Sequence, residues 1–175
     1  LYQGPPFRLG YRGLGEPICW LAFGPFATAA SLLVLAPSGQ AAVPWKLALM
    51  LGSGPALATS LVLFCSHFHQ VDEDAAHGKC SPVVRLGTAK AASLIPWFVA
   101  GTLALEWVPV LHGDWPLTAL FSAIGLPAAA ALIRLLRDHH SEPDRIAGSK
   151  FLALRFQALN GLGLSAGLAL GPLLS

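Results

Sequence analysis

Hydrophobic residues run along this chain in five long blocks rather than alternating with polar ones. The blocks cover about 17–36, 43–68, 86–107, 115–136 and 151–174. Each is roughly 20 residues or slightly longer, enough to cross about 30 Å of hydrocarbon at about 1.5 Å per residue. The pattern predicts an all-α fold, an integral membrane helical bundle with about five transmembrane helices.

Composition supports lipid as the solvent for these blocks. The 175 residues are 54% hydrophobic and 11% charged, and the mean hydropathy is +0.60. A soluble domain typically carries about 25% charged residues, so this chain has too few to cover a water-facing surface. The net charge of +2 is too small to indicate a nucleic-acid partner.

Cationic residues are concentrated before the first block, between the second and third, and between the fourth and fifth. Five crossings bring these three segments to one membrane face. Its cations are Arg8, Arg12, Lys79, Arg85, Lys90, Arg134, Arg137, Arg145, Lys150 and Arg155, whereas Lys46 lies near the opposite face. The positive-inside rule predicts that this face meets the cytoplasm or its topological equivalent in an organelle.

The densest polar cluster follows the second block and contains three consecutive acids, Asp72, Glu73 and Asp74. Such acids repel one another beside a membrane, and a divalent cation would offset that repulsion because hard cations take carboxylate oxygens. If the helix continues through Asp74, the spacing places Gln70, Glu73 and Asp74 near one face and Asp72 to the side. A solvated interfacial loop without function is the alternative interpretation.

A second polar cluster, residues 2–16, lies on the same membrane face. Its Gly- and Pro-rich loop carries Tyr2, Arg8, Tyr11 and Arg12. Arginine suits bidentate recognition of phosphate, although two arginines alone are also ordinary positive-inside charge. The two clusters together describe a metal–diphosphate site, in which acids hold Mg²⁺ and arginines neutralise the leaving group.

Three segments carry a family resemblance. Residues 2–16 (YQGPPFRLGYRGLGE) resemble a loop of the UbiA-type membrane prenyltransferases, residues 67–88 (HFHQVDEDAAHGKCSPVVRLGT) their second aspartate-rich motif, and residues 151–167 (FLALRFQALNGLGLSAG) their last helix. The resemblance is greatest to the branch that prenylates 1,4-dihydroxy-2-naphthoate. Gln70, where many relatives have Asp, and the preceding His67-Phe68-His69 resemble cyanobacterial and plastid members of this branch.

The resemblance implies roles for individual residues. Asp74 matches the second metal-binding Asp, Asp72 an acidic position beside it, and Gln70 the position of the first Asp. The implied catalytic residues are Asp74, Asp72 and Gln70, and the implied metal ligands are Asp74, Asp72 and Glu73. The implied diphosphate-binding residues are Arg8, Arg12, Lys79, Tyr2 and Tyr11. Gly10 stands where many relatives carry Lys.

The implied reaction is Mg²⁺-dependent transfer of a phytyl group from an allylic diphosphate to 1,4-dihydroxy-2-naphthoate with loss of CO₂, in phylloquinone biosynthesis. The implied location is a plastid membrane or, alternatively, a cyanobacterial membrane. A lipid-facing groove would hold the isoprenoid tail, and Trp97, Phe98 and Phe121 are candidates to line it, although for each one alone a lipid-facing or packing role is the favoured interpretation.

The family bundle has nine helices and an earlier Asn/Asp-rich motif that holds the other metal ion. Nothing like that motif occurs in this sequence. We therefore expect residues 1–175 to be the C-terminal part of a single prenyltransferase domain and to be inactive alone.

Three alternatives stay open at this stage. One is another branch of the family, of the homogentisate or chlorophyll type, against which the His-Phe-His-Gln run argues. Another is a fragment of a membrane transporter, although transporter sites usually lie near the bilayer midplane rather than at one face. The third is a non-catalytic assembly subunit.

Overall fold

The computed structural model describes residues 4–36 and 42–174, and its regular elements there are all helical. In chain order they include α1 (Gly15–Leu35), α2 (Trp45–His69), α3 (Val71–Ala76), α4 (Pro82–Leu86), α5 (Thr88–Leu111), α6 (Leu117–His139) and α7 (Ser149–Leu174). Short 3₁₀ turns precede α1, at Leu9–Arg12, and α7, at Arg145–Gly148. The predicted all-α fold is confirmed.

Four of the five long helices, α1, α2, α5 and α6, are long and apolar enough to cross a membrane. They place the chain in a membrane, as the hydrophobic blocks predicted. The fifth, α7, has 26 residues, includes Lys150, Arg155 and Asn160, and is not among these four. It packs along α2 and along both halves of α6, and so completes the bundle.

The centre of the bundle lies between α2, α5, α6 and α7. These helices contribute the fully buried side chains of Phe64, Ile95, Leu132 and Phe156, in that order. Helix α1 packs on the outside of α2, and its large side chains at Phe23 and other positions face outward. Lipid accepts such apolar surfaces, so their exposure does not argue against the fold.

Small residues set the distance between α1 and α2. Pro25 lies in a wide π-helical turn at Ala22–Phe26, where the helix accommodates the missing backbone donor. Gly24 here faces Gly52 of α2, and a Cβ on Gly24 would lie 2.6 Å from the Cβ of Ala56. Only glycine allows the two backbones to approach this closely.

The first half of α6, Leu117–Gly125, is a 3₁₀ helix that lies against the glycines of α7. A Cβ on Gly163 or Gly167 would collide with the backbone carbonyls of Phe121 and Thr118, respectively. The Thr118 hydroxyl donates a hydrogen bond of 2.6 Å to the carbonyl oxygen of Gly167. The glycines of α7 therefore form the surface against which α6 packs.

An ionisable residue is also buried within the bundle. Glu106 of α5 is completely buried, and Asn160 of α7 donates a 2.8 Å hydrogen bond to its Oε2. The Asn160 amide also approaches the Ser122 carbonyl oxygen at 3.4 Å, so the pair connects α5, α6 and α7. Asn side chains in membrane helices commonly make hydrogen bonds between helices, and here the partner is the Glu106 side chain.

Candidate active site

The N-terminal loop packs against the segment that follows the acidic cluster. The Cys80 amide donates to the Tyr11 carbonyl oxygen at 2.9 Å, and the Arg85 guanidinium donates to the Arg12 carbonyl oxygen at 2.8 Å. Gly13 adopts φ 72°, and a Cβ there would lie 2.7 Å from the Cys80 carbonyl oxygen. The structure therefore brings together the two polar clusters that lie far apart in the sequence.

The second long helix does not continue through Asp74, which corrects the premise of the sequence argument. Its last turn, His67–His69, is 3₁₀, Gln70 leaves helical geometry at φ −124°, and α3 begins at Val71. The Asp74 amide nevertheless donates to the Gln70 carbonyl oxygen at 2.7 Å. Because α3 keeps this helical spacing, Gln70, Glu73 and Asp74 still face one pocket.

This polar pocket has a volume of about 400 Å³ and is the candidate site. Its lining combines five residues of the acidic cluster and its flank with one residue of the N-terminal loop: Tyr11, Gln70, Glu73, Asp74, His77 and Lys79. Five of the predicted site residues are thus gathered around one cavity, and His77 joins them without having been predicted.

The other predicted residues lie at or beyond the rim. Asp72 is exposed and outside the pocket lining. The Arg8 guanidinium lies 5.2 Å from the ring centroid of Tyr11, which places its charge beside a lining residue. Arg12 is exposed and contributes its backbone carbonyl to the contact with Arg85. Tyr2 lies outside the described residues.

Asp74 is the buried centre of the charge arrangement. Gly78 adopts φ 68° and reverses the chain, so that the Lys79 ammonium lies 2.9 Å from Asp74 Oδ1. On the other side, His67 Nδ1 lies 3.4 Å from Asp74 Oδ2, and His67 Nε2 lies 3.3 Å from Glu16 Oε1. Glu16, His67, Asp74 and Lys79 thus form a continuous row of charged and ionisable groups, which we call the buried charge row.

Sequence reasoning assigned no role to Glu16. The signal was present, because an isolated acid at the first turn of an apolar helix is costly and marks a candidate functional residue. What the sequence could not show is its partner, His67, which lies at the end of the next long helix.

The pocket offers oxygen donors of the kind a divalent cation prefers. The carboxylates of Glu73 and Asp74 and the amide of Gln70 are hard ligands, and the buried Asp74 Oδ2 has no hydrogen bond of good geometry. Across residues 4–36 and 42–174, no three His, Cys, Asp or Glu side chains are already grouped to hold an ion. Magnesium usually keeps one or two carboxylates and takes its remaining ligands from phosphates and water, so the donors fit it.

An apolar groove begins beside the buried charge row and follows α1, α2 and α7 into the bundle. It has a volume of about 720 Å³ and is lined by Gly15, Ile18, Cys19, Ala22, Phe23, Thr59, Val62, Leu63, Ser66, Leu154 and Gln157. At the end of the groove nearest the buried charge row lie Gly15 and Ser66, the chain neighbours of Glu16 and His67. The groove therefore starts close to the buried charge row and extends along the membrane-spanning helices.

The aromatic residues suggested from sequence do not line this groove. Trp97 is 73% exposed and Phe121 is 46% exposed, both on outer faces of the bundle. Phe98 packs against Phe64, with ring centroids 5.0 Å apart. The correction has a physical cause, because the groove lies where α1, α2 and α7 meet, whereas these aromatics belong to α5 and α6.

Residues 1–173 match the UbiA prenyltransferase family. The chain belongs to this family. UbiA prenyltransferases generally use a divalent metal ion, in agreement with the oxygen donors of the pocket.

Two curated relatives extend the comparison. The chain is 40% identical over 166 residues to "2-carboxy-1,4-naphthoquinone phytyltransferase" of Synechocystis sp., a match that covers 95% of this chain and 52% of the relative. It is 42% identical over 173 residues to "2-carboxy-1,4-naphthoquinone phytyltransferase, chloroplastic" of Arabidopsis thaliana, covering 97% and 45%, respectively. The chain thus spans about half the length of these relatives. No solved structure gives a significant match.

Proposed function

We propose that this UbiA-family chain is the C-terminal part of a membrane prenyltransferase that transfers a phytyl group to 1,4-dihydroxy-2-naphthoate with loss of CO₂. The observation that carries the proposal is the polar pocket around Asp74 with an apolar groove beginning next to it. An allylic diphosphate has the same division, with a highly charged head and an apolar tail. The names of both relatives support a phytyl donor and a naphthalenoid acceptor.

In this proposal the pocket receives the diphosphate head. Lys79 and Arg8 present positive charge at its wall and rim, and the Tyr11 hydroxyl is a further hydrogen-bonding group. Glu73, Asp74 and Gln70 would hold Mg²⁺, and Asp72 and Arg12 would act from the exposed rim. When bound, the ion supplies charge neutralisation for the departing diphosphate.

The groove receives the isoprenoid tail. Its lining is mostly apolar, and its walls reach from Gly15 to Phe23 on α1 and from Ser66 to Thr59 on α2. At about 1.5 Å per helical residue, this gives a path of roughly 10 Å into the membrane. Excluding water there protects the allylic carbon from hydrolysis as its bond to the diphosphate lengthens.

The location follows from the same relatives. We propose a plastid or cyanobacterial membrane, with the pocket on the face that carries most of the cations. A homogentisate- or chlorophyll-type activity is the second candidate, and it is distinguished by the aromatic acceptor that is consumed.

The decisive experiment uses the full-length protein in membranes with phytyl diphosphate, Mg²⁺ and either 1,4-dihydroxy-2-naphthoate or homogentisate. We expect the wild type to form a prenylated naphthoquinol. In Asp74→Asn we expect turnover to fall by about 100-fold or more, because Asp74 is central to the charge arrangement. Glu142→Gln is the matched control, since this exposed acid pairs with Arg145 away from the pocket. Turnover of homogentisate alone, or wild-type turnover by Asp74→Asn, would contradict the proposal.

A further inference from the structure

The buried charge row begins at a residue that does not itself line the pocket. Glu16, His67 and Asp74 are 8%, 5% and 6% exposed, respectively, so all three are withdrawn from water. Glu16 belongs to the first turn of α1, His67 to the last turn of α2, and Asp74 to α3. The row therefore connects the start of one membrane helix to the helix that carries the site.

The carboxylate of Glu16 has no evident packing role. Neither of its oxygens makes a hydrogen bond within the described residues, and its one ionic neighbour there is His67 Nε2 at 3.3 Å. The contact between α1 and α2 is made by other groups, since Ser60 donates to the Glu16 backbone carbonyl and Trp20 donates to that of Ser53. A buried carboxylate is costly, so its retention calls for an explanation beyond helix packing.

The geometry of His67 supplies that explanation. Its two ring nitrogens point in different directions, and each faces a carboxylate, Glu16 at Nε2 and Asp74 at Nδ1. Holding one nitrogen therefore fixes the direction in which the other points. Outer partners orient the ligating histidines and carboxylates of many metal sites, and mutating such a partner typically changes metal affinity by about 10- to 100-fold.

We propose that Glu16 is a positioning residue of the pocket, which acts through His67 to hold the Asp74 carboxylate in its binding orientation. Lys79 contacts Oδ1 from the pocket side and His67 faces Oδ2 from the protein side, so Asp74 is fixed between them. Without Glu16 the His67 ring is free to rotate, and the Asp74 carboxylate is no longer held in one orientation. The catalytic consequence rests on the function proposed above, whereas the consequence for ligand binding does not.

The test measures binding of Mn²⁺ with inorganic pyrophosphate to the full-length protein by electron paramagnetic resonance, with no prenyl donor or acceptor present. Glu16→Gln keeps the side-chain volume, and we expect it to weaken Mn²⁺ binding by about 10-fold or more. Glu16→Asp keeps the charge and should recover part of that loss. Glu142→Gln is the control, and thermal unfolding verifies that all variants remain folded.

A double-mutant cycle tests the path through the ring. In a His67→Asn background we expect Glu16→Gln to have little further effect, because the connecting group is already gone. Unchanged Mn²⁺ binding in Glu16→Gln, or full additivity with His67→Asn, would overturn the positioning role. Glu16-dependent Mn²⁺ binding by a protein that prenylates no aromatic acceptor would retain this inference and reject the proposed function. Absence of Mn²⁺–pyrophosphate binding in the wild type would reject the site and the inference together.

Discussion

Lys79 has two potential partners at the candidate site, the Asp74 carboxylate and an arriving diphosphate. Its ammonium is 2.9 Å from Asp74 Oδ1, and its side chain is only 16% exposed while lining the pocket. A lysine is a compact point charge on a flexible stem, so it can exchange one anion for another with little movement of the backbone. Its departure would leave an Asp74 oxygen available to a metal ion that enters with the diphosphate.

The proposed exchange of Asp74 for the diphosphate makes a specific prediction for Lys79→Gln. We expect the KM for the prenyl diphosphate to rise by about 10-fold, because a charge-assisted hydrogen bond contributes about 1.5 kcal/mol. The KM for the aromatic acceptor should stay unchanged, since the acceptor lacks a diphosphate. Steady-state kinetics of the full-length enzyme measure both constants. Lys90→Gln, an exposed cation on the same membrane face, is the control, and equal changes in the two KM values would contradict the assignment.

At this scale the sequence revealed residue types but not their partners. Gln70, Glu73, Asp74 and Lys79 were predicted together because they lie within one short segment, and the structure places them around one pocket. Glu16 was passed over because its role depends on His67. The distance between these two side chains is determined by how α1 packs on α2. No local pattern encodes that distance.

Among the elements, α6 and α7 show a local geometry that depends on their partner. The apolar block predicts a helix over about 115–136, but it does not predict that Leu117–Gly125 is 3₁₀. That narrower form lies where α6 meets the glycine surface of α7, and a 3₁₀ helix has a smaller radius than an α-helix. Periodicity reports which residues are apolar, whereas the helix type is set by the tertiary contact.

Two glycines of α7 provide a matched test of this contact. Gly163→Ala should destabilise the protein by about 1–3 kcal/mol, because its Cβ would collide with the backbone of Phe121. Gly161→Ala is the control, since a Cβ there meets nothing within 4 Å and alanine favours a helix by about 1 kcal/mol over glycine. Thermal unfolding in detergent measures both. A Gly163→Ala variant as stable as Gly161→Ala would show that α6 does not lie against α7 as described.

Considered as a whole, the molecule is strongly asymmetric across the membrane. The polar pocket lies between the loop before α1 and the segment between α2 and α5, which are also two of the three cation-rich segments. The sequence predicted this shared face from charge and crossing number alone. The family resemblance implied a lipid-facing groove, but the sequence could not predict which residues line it, because three helices distant in the sequence form it.

The asymmetry predicts a transmembrane orientation that native Cys80 can report. Cys80 is exposed on the face of the pocket, whereas Cys65 is buried and Cys19 lies in the apolar groove. In full-length protein with every other cysteine replaced, a membrane-impermeant maleimide should label Cys80 only from the cytoplasmic side of sealed vesicles. The positive-inside rule requires this, because that face carries most of the cations.

A second variant, His112→Cys with Cys80→Ser, places the thiol in the exposed loop between α5 and α6. An odd number of crossings separates the two positions, since α5 is the one helix between them that is long enough to cross the membrane, so labelling of this variant should require access from the opposite side. Labelling of both thiols from one side would mean that α5 does not span the bilayer. Reversed labelling of both would keep the bundle but place the pocket, and the proposed diphosphate chemistry, on the other face of the membrane.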